Sequence, residues 1–206
     1  MSVPQWLTWA REIAALAQSG WAYTRDDYDR ERYDQLLALA ADIVAHHSTL
    51  QAETLLADFR AQAGYATPKI DVRGAVVRDG RILLVQEKSD GRWCLPGGWA
   101  DVGVGPAEMI VREVREESGY DVAARKLIGV FDANRSQSPA DFYHAYKLIF
   151  LCDLLGGRPD PDHEILAVSF FPFDALPPLS ASRTDARHLA EVQAHLADPL
   201  RPAAFE

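Results

Sequence analysis

The chain has 206 residues, 48% of them hydrophobic, and its 30 acidic and 21 basic side chains leave a formal charge of −9. Such a composition describes a folded globular protein, and its negative field opposes phosphate backbones, so nucleic acid is an unlikely partner on charge alone. No stretch approaches the roughly 20 apolar residues a membrane span needs, and the first twenty residues lack a basic start followed by an apolar core. The sequence therefore predicts a cytoplasmic protein with no membrane partner. Cys94 and Cys152 lie in apolar runs without metal-ligand spacing and are expected to be reduced core residues.

In chain order, residues 1–64 read as a small helical domain and residues 65–206 as a second, mixed one. Trp6, Trp9, Ile13 and Leu16 recur at helical spacing and predict an apolar stripe on a first helix. A second helix fits "RDDYDRERYDQLLALAADIVAHH", with acids at its start and His46 and His47 at its end, as the helix dipole prefers. A third fits "TLQAETLLADFRAQAG", with Gly64 as its expected stop.

From "YATPKIDVRGAVV" onward the period becomes that of strands. The segment "RDG" separates this run from "RILLVQEK" and predicts a hairpin. "RWCLPGG" reads as a short strand, and a helix is expected from Pro106, well suited to a first helical position, to about Ser118. Strands are then expected in "KLIGVFDA", "FYHAYKLIFLCDLL" and "EILAVSFFPFDALPPLS", with a last helix near Thr184–Leu196. Helices among strands and hairpins of mixed length define an α+β class.

The Pro106 helix carries Glu113, Glu116 and Glu117 within five residues. At 100° per residue, Ala107, Ile110, Val111 and Val114 form its apolar stripe and the glutamates cluster roughly 120° away. Crowded like charges repel, although Arg112 and Arg115 lie within a turn and offset part of the cost. A solvated, salt-bridged face is the ordinary explanation of such a helix. A hard divalent cation, held by oxygen ligands with waters completing its shell, is the other.

Read from Gly98, the chain runs through Arg112-Glu113-Val114, Glu116-Glu117 and Gly119. This resembles the Nudix box, a glycine-initiated loop and helix ending R-E-U-x-E-E-x-G-U, and matches seven of its nine specified positions. Val104 stands where the family usually has a glutamate, and Tyr120 where it has an aliphatic residue; Asp101 is the loop carboxylate placed to substitute in part. The resemblance implies the Nudix fold, a mixed sheet sandwiched between helices. It also implies Mg²⁺- or Mn²⁺-dependent hydrolysis of a nucleoside diphosphate linked to another group X. Carried over by residue, Glu113, Glu116 and Glu117 become metal ligands with the Gly98 carbonyl, Glu116 also catalytic, and Arg112 the residue that orients Glu113. Together with the three N-terminal helices, "PGGWADVG" is similar to the subgroup of CDP-choline and ADP-ribose pyrophosphatases that carry an N-terminal helical domain.

Outside the box, Glu164 in "GGRPDPDHEILAVSFF" is the candidate catalytic base, with Asp160, Asp162 and His163 as alternatives. Substrate contacts are expected from Arg135, Phe131, Tyr143 and Lys147, with Trp99, His144 and Arg73 as further choices. The partner implied is a small nucleotide. Two rival readings are a nucleotide sensor that has lost catalysis and an enzyme acting on RNA ends; the intact glutamates oppose the first, and the acidic charge opposes the second. Trp6, Trp9, Trp21, Tyr23, Tyr28 and Tyr33 are more aromatic surface than a segment of roughly 60 residues can bury alone. A homodimer built on residues 1–64 is the expectation.

Overall fold

The computed structural model describes residues 3–135 and 142–206, which divide into a helical unit (residues 3–68 with 142–144) and a mixed unit (69–135 with 145–206). The helical unit consists of α1 (Gln5–Tyr23), α2 (Asp27–His47) and α3 (Ala52–Ala61). The Asp26 carboxylate caps α2 by accepting the Asp29 N–H at 3.0 Å. Its core joins Ala10, Ala14 and Ala17 to Leu37, Ala40, Ala41 and Val44, closed by Leu55 and Phe59. Phe142 stacks on Phe59 with ring centroids 4.7 Å apart, and Arg11 Nε donates to the Phe142 carbonyl at 2.6 Å.

Two expectations for this unit need correction. The buried face of α1 is Leu7, Ala10, Ala14 and Ala17; of the expected stripe Trp6 and Ile13 pack partly buried against this core, whereas Trp9 and Leu16 are 56% and 71% exposed. The alanines on this face let the α1 and α2 backbones approach closely. The third helix ends at Ala61, with Gln62 as its C-cap, and Gly64 occupies a left-handed turn beyond it.

The mixed unit is one twisted sheet clasped by helices. Its strands are β1 (Lys69–Arg78), β2 (Arg81–Glu87), β3 (Trp93–Cys94), β4 (Tyr120–Asp132), β5 (Ala145–Gly157), β6 (Ile165–Pro172) and β7 (Ala204–Phe205). They lie in the order β3-β2-β1-β5-β4-β7, with β6 also paired to β2. Strand β1 runs parallel to β5 from Lys69↔Ala145 to Val76↔Cys152 and turns through Asp79 and Gly80 into β2. Helix α4 (Pro106–Ser118) covers one face and α5 (Ala186–Ala197) packs through Leu189 and Val192 into the other cluster. Strand β4 begins at Tyr120, earlier than its apolar run suggests, because pairing with β5 continues through the small and polar residues Asp121–Ala124. The two-residue β7 pairs with Gly129 and Val130 of β4 and had no sequence signal of its own.

Helix α4 buries Met109, Ile110, Val114 and Ser118. Ala107, expected on that stripe, is exposed, and Met109 takes its place against Val72, Val76 and Leu83. Burying each of the large side chains is worth about 1.5–3 kcal/mol, so the carboxylate-bearing helix is fixed by its opposite face. Gly119 ends it in the left-handed conformation (φ 76°), its N–H donating to the Arg115 carbonyl at 2.8 Å. Both cysteines are buried and unpaired with one another.

Candidate active site

The loop leaving β3 is built as an extra strand beside β1. The Gly74 N–H donates to the Pro96 carbonyl, Val72 N–H to Gly98 and Ala100 N–H to Ile70, each at 2.9 Å. This places Gly97 and Gly98 against α4. The Gly97 N–H donates to Glu117 Oε2 at 2.8 Å. A Cβ on Gly98 would stand 2.9 Å from Glu113 Oε2, so glycine is what lets this carboxylate approach the main chain. The Gly98 carbonyl accepts the Val72 N–H, and a carbonyl oxygen carries a second lone pair.

Burial raises the Glu113 carboxyl above its ordinary range, and the neighbouring Glu116 charge adds to the effect. Burial also pushes Glu117 up to about 8, opposed by the Arg73 charge and the Gly97 N–H. Glu116 is exposed on the same helical face. Among the described residues no three acidic, histidine or cysteine groups close to direct metal-ligand spacing. The donor set nonetheless fits a hard cation: carboxylates at i, i+3 and i+4 and a main-chain carbonyl are the oxygen ligands that Mg²⁺ takes, with waters completing its shell.

Under this loop lies a buried charge network. Asp71 receives Arg73 Nε at 2.7 Å and Lys147 Nζ at 2.7 Å, and Arg73 Nη1 donates to the Leu95 carbonyl at 3.2 Å. Burial alone would neutralise Asp71, but Arg73 and Lys147 together hold its carboxyl below the usual range. Burial lowers Lys147, an effect that Asp71 resists. On the next strand Glu87 accepts from Cys94 Sγ at 3.3 Å and pairs with Arg183 Nε at 3.1 Å.

The expected site residues are distributed unevenly. Gly98, Glu113 and Glu117 are brought together, with Glu116 beside them. The Arg112 guanidinium binds Asp101, and lies 3.0 Å from Met109 Sδ, rather than bonding to Glu113. Asp101 thus engages the box through Arg112. Phe131 and Lys147, expected against substrate, are 5% and 3% exposed: Phe131 packs in the core edge-on to His188, and Lys147 belongs to the Asp71 network. Tyr143 groups with the helical unit and packs edge-on to Phe142. Arg135 is exposed in the 3-10 turn after β4, 3.8 Å from Asp132. Glu164 is exposed before β6; its carboxylate lies 3.7 Å from His163, and its carbonyl accepts the Lys88 N–H at 3.0 Å. The alternation of Asp71 and Arg73 signalled a shared strand face, but nothing in the sequence indicated Lys147 as their third member.

A mixed sheet between helices, with a glycine loop feeding a carboxylate-bearing helix, defines the class: the chain belongs to the Nudix hydrolase family. The description "NUDIX domain" matches residues 68–192, and "UDP-X-like, N-terminal oligomerisation domain" matches residues 4–59. Over 98% of its length the chain is 41% identical to YjhB of Bacillus subtilis, a protein provisionally named an ADP-ribose pyrophosphatase, and the match covers 97% of that protein. The crystal structure of a UDP-X diphosphatase is 32% identical, with a TM-score of 0.64 and full coverage of both chains. That of an ADP-ribose pyrophosphatase from Streptococcus suis is 38% identical with a TM-score of 0.62, covering 68% of this chain and all of the other.

Proposed function

We propose that this chain hydrolyses the pyrophosphate of a nucleoside diphosphate linked to X, with Mg²⁺ or Mn²⁺, giving a nucleoside monophosphate and phospho-X. The observation that carries the reading is the placement of Glu113, Glu116 and Glu117 on α4 beside Gly98, whose missing Cβ admits the Glu113 carboxylate. A bound divalent cation would neutralise pyrophosphate charge and acidify a water molecule. In this reading Glu113, Glu117 and the Gly98 carbonyl would hold the cation. Glu116, exposed on the same helix, would be a further ligand and would orient the attacking water. Water adds to phosphorus, the bridging P–O bond breaks, and the water proton passes to a carboxylate, with Glu164 the candidate base. Arg112, through Asp101, pins the Trp99–Gly105 loop to α4. Arg135 is the exposed cation available to substrate phosphate.

Among X groups, ADP-ribose and UDP-linked compounds rank first because similar proteins carry those names; CDP-choline rests on the sequence resemblance alone. The helical unit serves in this reading as a homodimerisation surface, supported by its exposed Trp9, Leu16, Trp21, Tyr23 and Tyr28 and by the description its sequence matches. No described helix is long and apolar enough to cross a membrane; a cytoplasmic location belongs to the same proposal. The test is hydrolysis of ADP-ribose, a UDP-sugar and CDP-choline by the full chain, followed by phosphorus NMR. AMP and ribose 5-phosphate from ADP-ribose are the expected products, and inertness of all three substrates with both metals overturns the reading.

A further inference from the structure

The Nudix loop is held on its far side by a segment that no sequence motif marks. Strand β3 is only two residues long, and residues 178–184 run along its free edge. The Trp93 N–H donates to Pro178 O at 3.0 Å, the Ser180 N–H to Trp93 O at 2.8 Å, and Trp93 bridges Leu179 in parallel. One residue beyond β3, the buried Leu95 N–H donates to Thr184 Oγ1 at 2.9 Å, and Thr184 is fully buried. Leu95 therefore has both main-chain groups tied by side chains, its N–H by Thr184 and its carbonyl by Arg73.

From that point there is little slack. Pro96 restricts φ and its carbonyl accepts Gly74 N–H, Gly97 N–H meets Glu117, and Gly98 abuts Glu113. The segment carrying Thr184 is itself anchored by Arg183, which reaches Glu87 Oε1, Ser180 Oγ and Ser89 Oγ, each at 3.1 Å. Ser180 Oγ donates to Asp90 Oδ2 at 2.7 Å. Thus one arginine clamps the segment to the turn after β2, and one threonine transmits that fixation to the main chain leading into Gly97 and Gly98.

We propose that residues 178–184 form a positioning strap for the cation-binding loop, with Thr184 the positioning residue that sets Gly97 and Gly98 against Glu117 and Glu113, and Arg183 its anchor. This rests on the metal-site reading above. Thr184→Val keeps the side-chain shape but leaves the Leu95 N–H buried without an acceptor. The loop then shifts to find one. Residues that orient a metal site from behind its ligands typically change affinity 10–100-fold when altered.

The test is Mn²⁺ binding to the full-length protein without substrate, read as free Mn²⁺ by electron paramagnetic resonance, alongside melting curves. Thr184→Val is expected to bind Mn²⁺ about tenfold more weakly, and Thr184→Ser, which restores the acceptor, to stay within about twofold of the parent. Arg183→Gln, a partly exposed change that leaves the core packing intact, is expected to weaken binding about threefold. Glu116→Gln serves as the control for the metal site: if the parent does not bind Mn²⁺, or Glu116→Gln binds as the parent does, the metal-site reading fails and the strap with it. If that control behaves as expected and a cooperatively melting Thr184→Val binds like the parent, the strap alone is overturned. Should Thr184→Val not fold, parent-like binding by Arg183→Gln overturns it.

Discussion

The two units place their unusual residues on opposite sides of their surfaces. In the helical unit the core is largely alanine, and the large apolar side chains Trp9, Leu16, Trp21, Tyr23 and Tyr28 remain exposed. In the mixed unit Ile82, Leu84, Ile128, Ile149 and Leu189 fill the core, and even ionic groups go inside, with Asp71, Arg73 and Lys147 each no more than 5% exposed. A protein that leaves indole and phenol rings in water while burying lysine and arginine has used composition for two tasks. On the function proposed above, one unit is shaped for contact and the other for chemistry.

If that division holds, damage to one unit should leave the other's property intact. The largest effect is expected for Glu116→Gln. Turnover of ADP-ribose should fall by about 10²–10⁴-fold, the range for loss of a group acting in the transition state, with melting temperature and solution mass unchanged. Parent-like turnover at saturating Mg²⁺ would remove Glu116 from the site. Next is Gly97→Ala, where the new methyl would collide with the Val72 carbonyl oxygen and φ is 140°. A destabilisation of about 3 kcal/mol is expected by chemical denaturation, combining backbone strain with a steric clash; a change under about 1 kcal/mol would mean the loop relaxes freely.

On the helical side, Leu16→Glu with Tyr23→Glu puts charge on exposed apolar positions. Light scattering should shift from the dimer toward the 22.8 kDa monomer, while turnover per chain stays within about twofold, as expected for surface substitutions away from the site. A parent protein that is monomeric at micromolar concentration would refute the dimer. A loss of both mass and turnover would break the division itself.

The smallest effect concerns His188. Burial pushes its imidazole down to about 4 from an ordinary 6.5. Below pH 6.5 the unfolded chain takes up a proton that the folded chain refuses, so stability falls as pH drops from 6.5 toward 4. The slope contributed by one such group is at most about 1.4 kcal/mol per pH unit. His188→Gln should flatten the pH dependence of unfolding free energy across that window, and an unchanged slope would assign it to other groups.

How much of this was legible in the sequence followed the range of the interactions. Helix α4, expected from Pro106 to about Ser118, is found over Pro106–Ser118, since Pro106 and Gly119 mark its ends locally and the box is contiguous. The Asp71–Arg73–Lys147 network was not, since it joins β1 to β5 through a parallel register across 76 positions, and a lone lysine in an apolar strand suggests a ligand contact just as well. Phe131 was misleading for the same reason: an aromatic at a strand end serves equally for stacking or for packing, and only the arrival of His188 from α5 assigns it to the core. Thr184 gave no signal, because a hydroxyl that accepts one main-chain hydrogen bond looks like any other loop threonine.

Asp71 shares its single negative charge between two cations, which leaves the network with a surplus of one positive charge beneath the Gly97 loop. Burial raises both Glu113 and Glu117, and the Arg73 charge works against it, favouring their ionised forms. The protein thus carries an internal counterion for the very carboxylates that would otherwise repel one another. Its position is fixed by covalent attachment to β1, so it neither diffuses away nor exchanges with salt, and the acidic face has a resting partner before any mobile cation arrives.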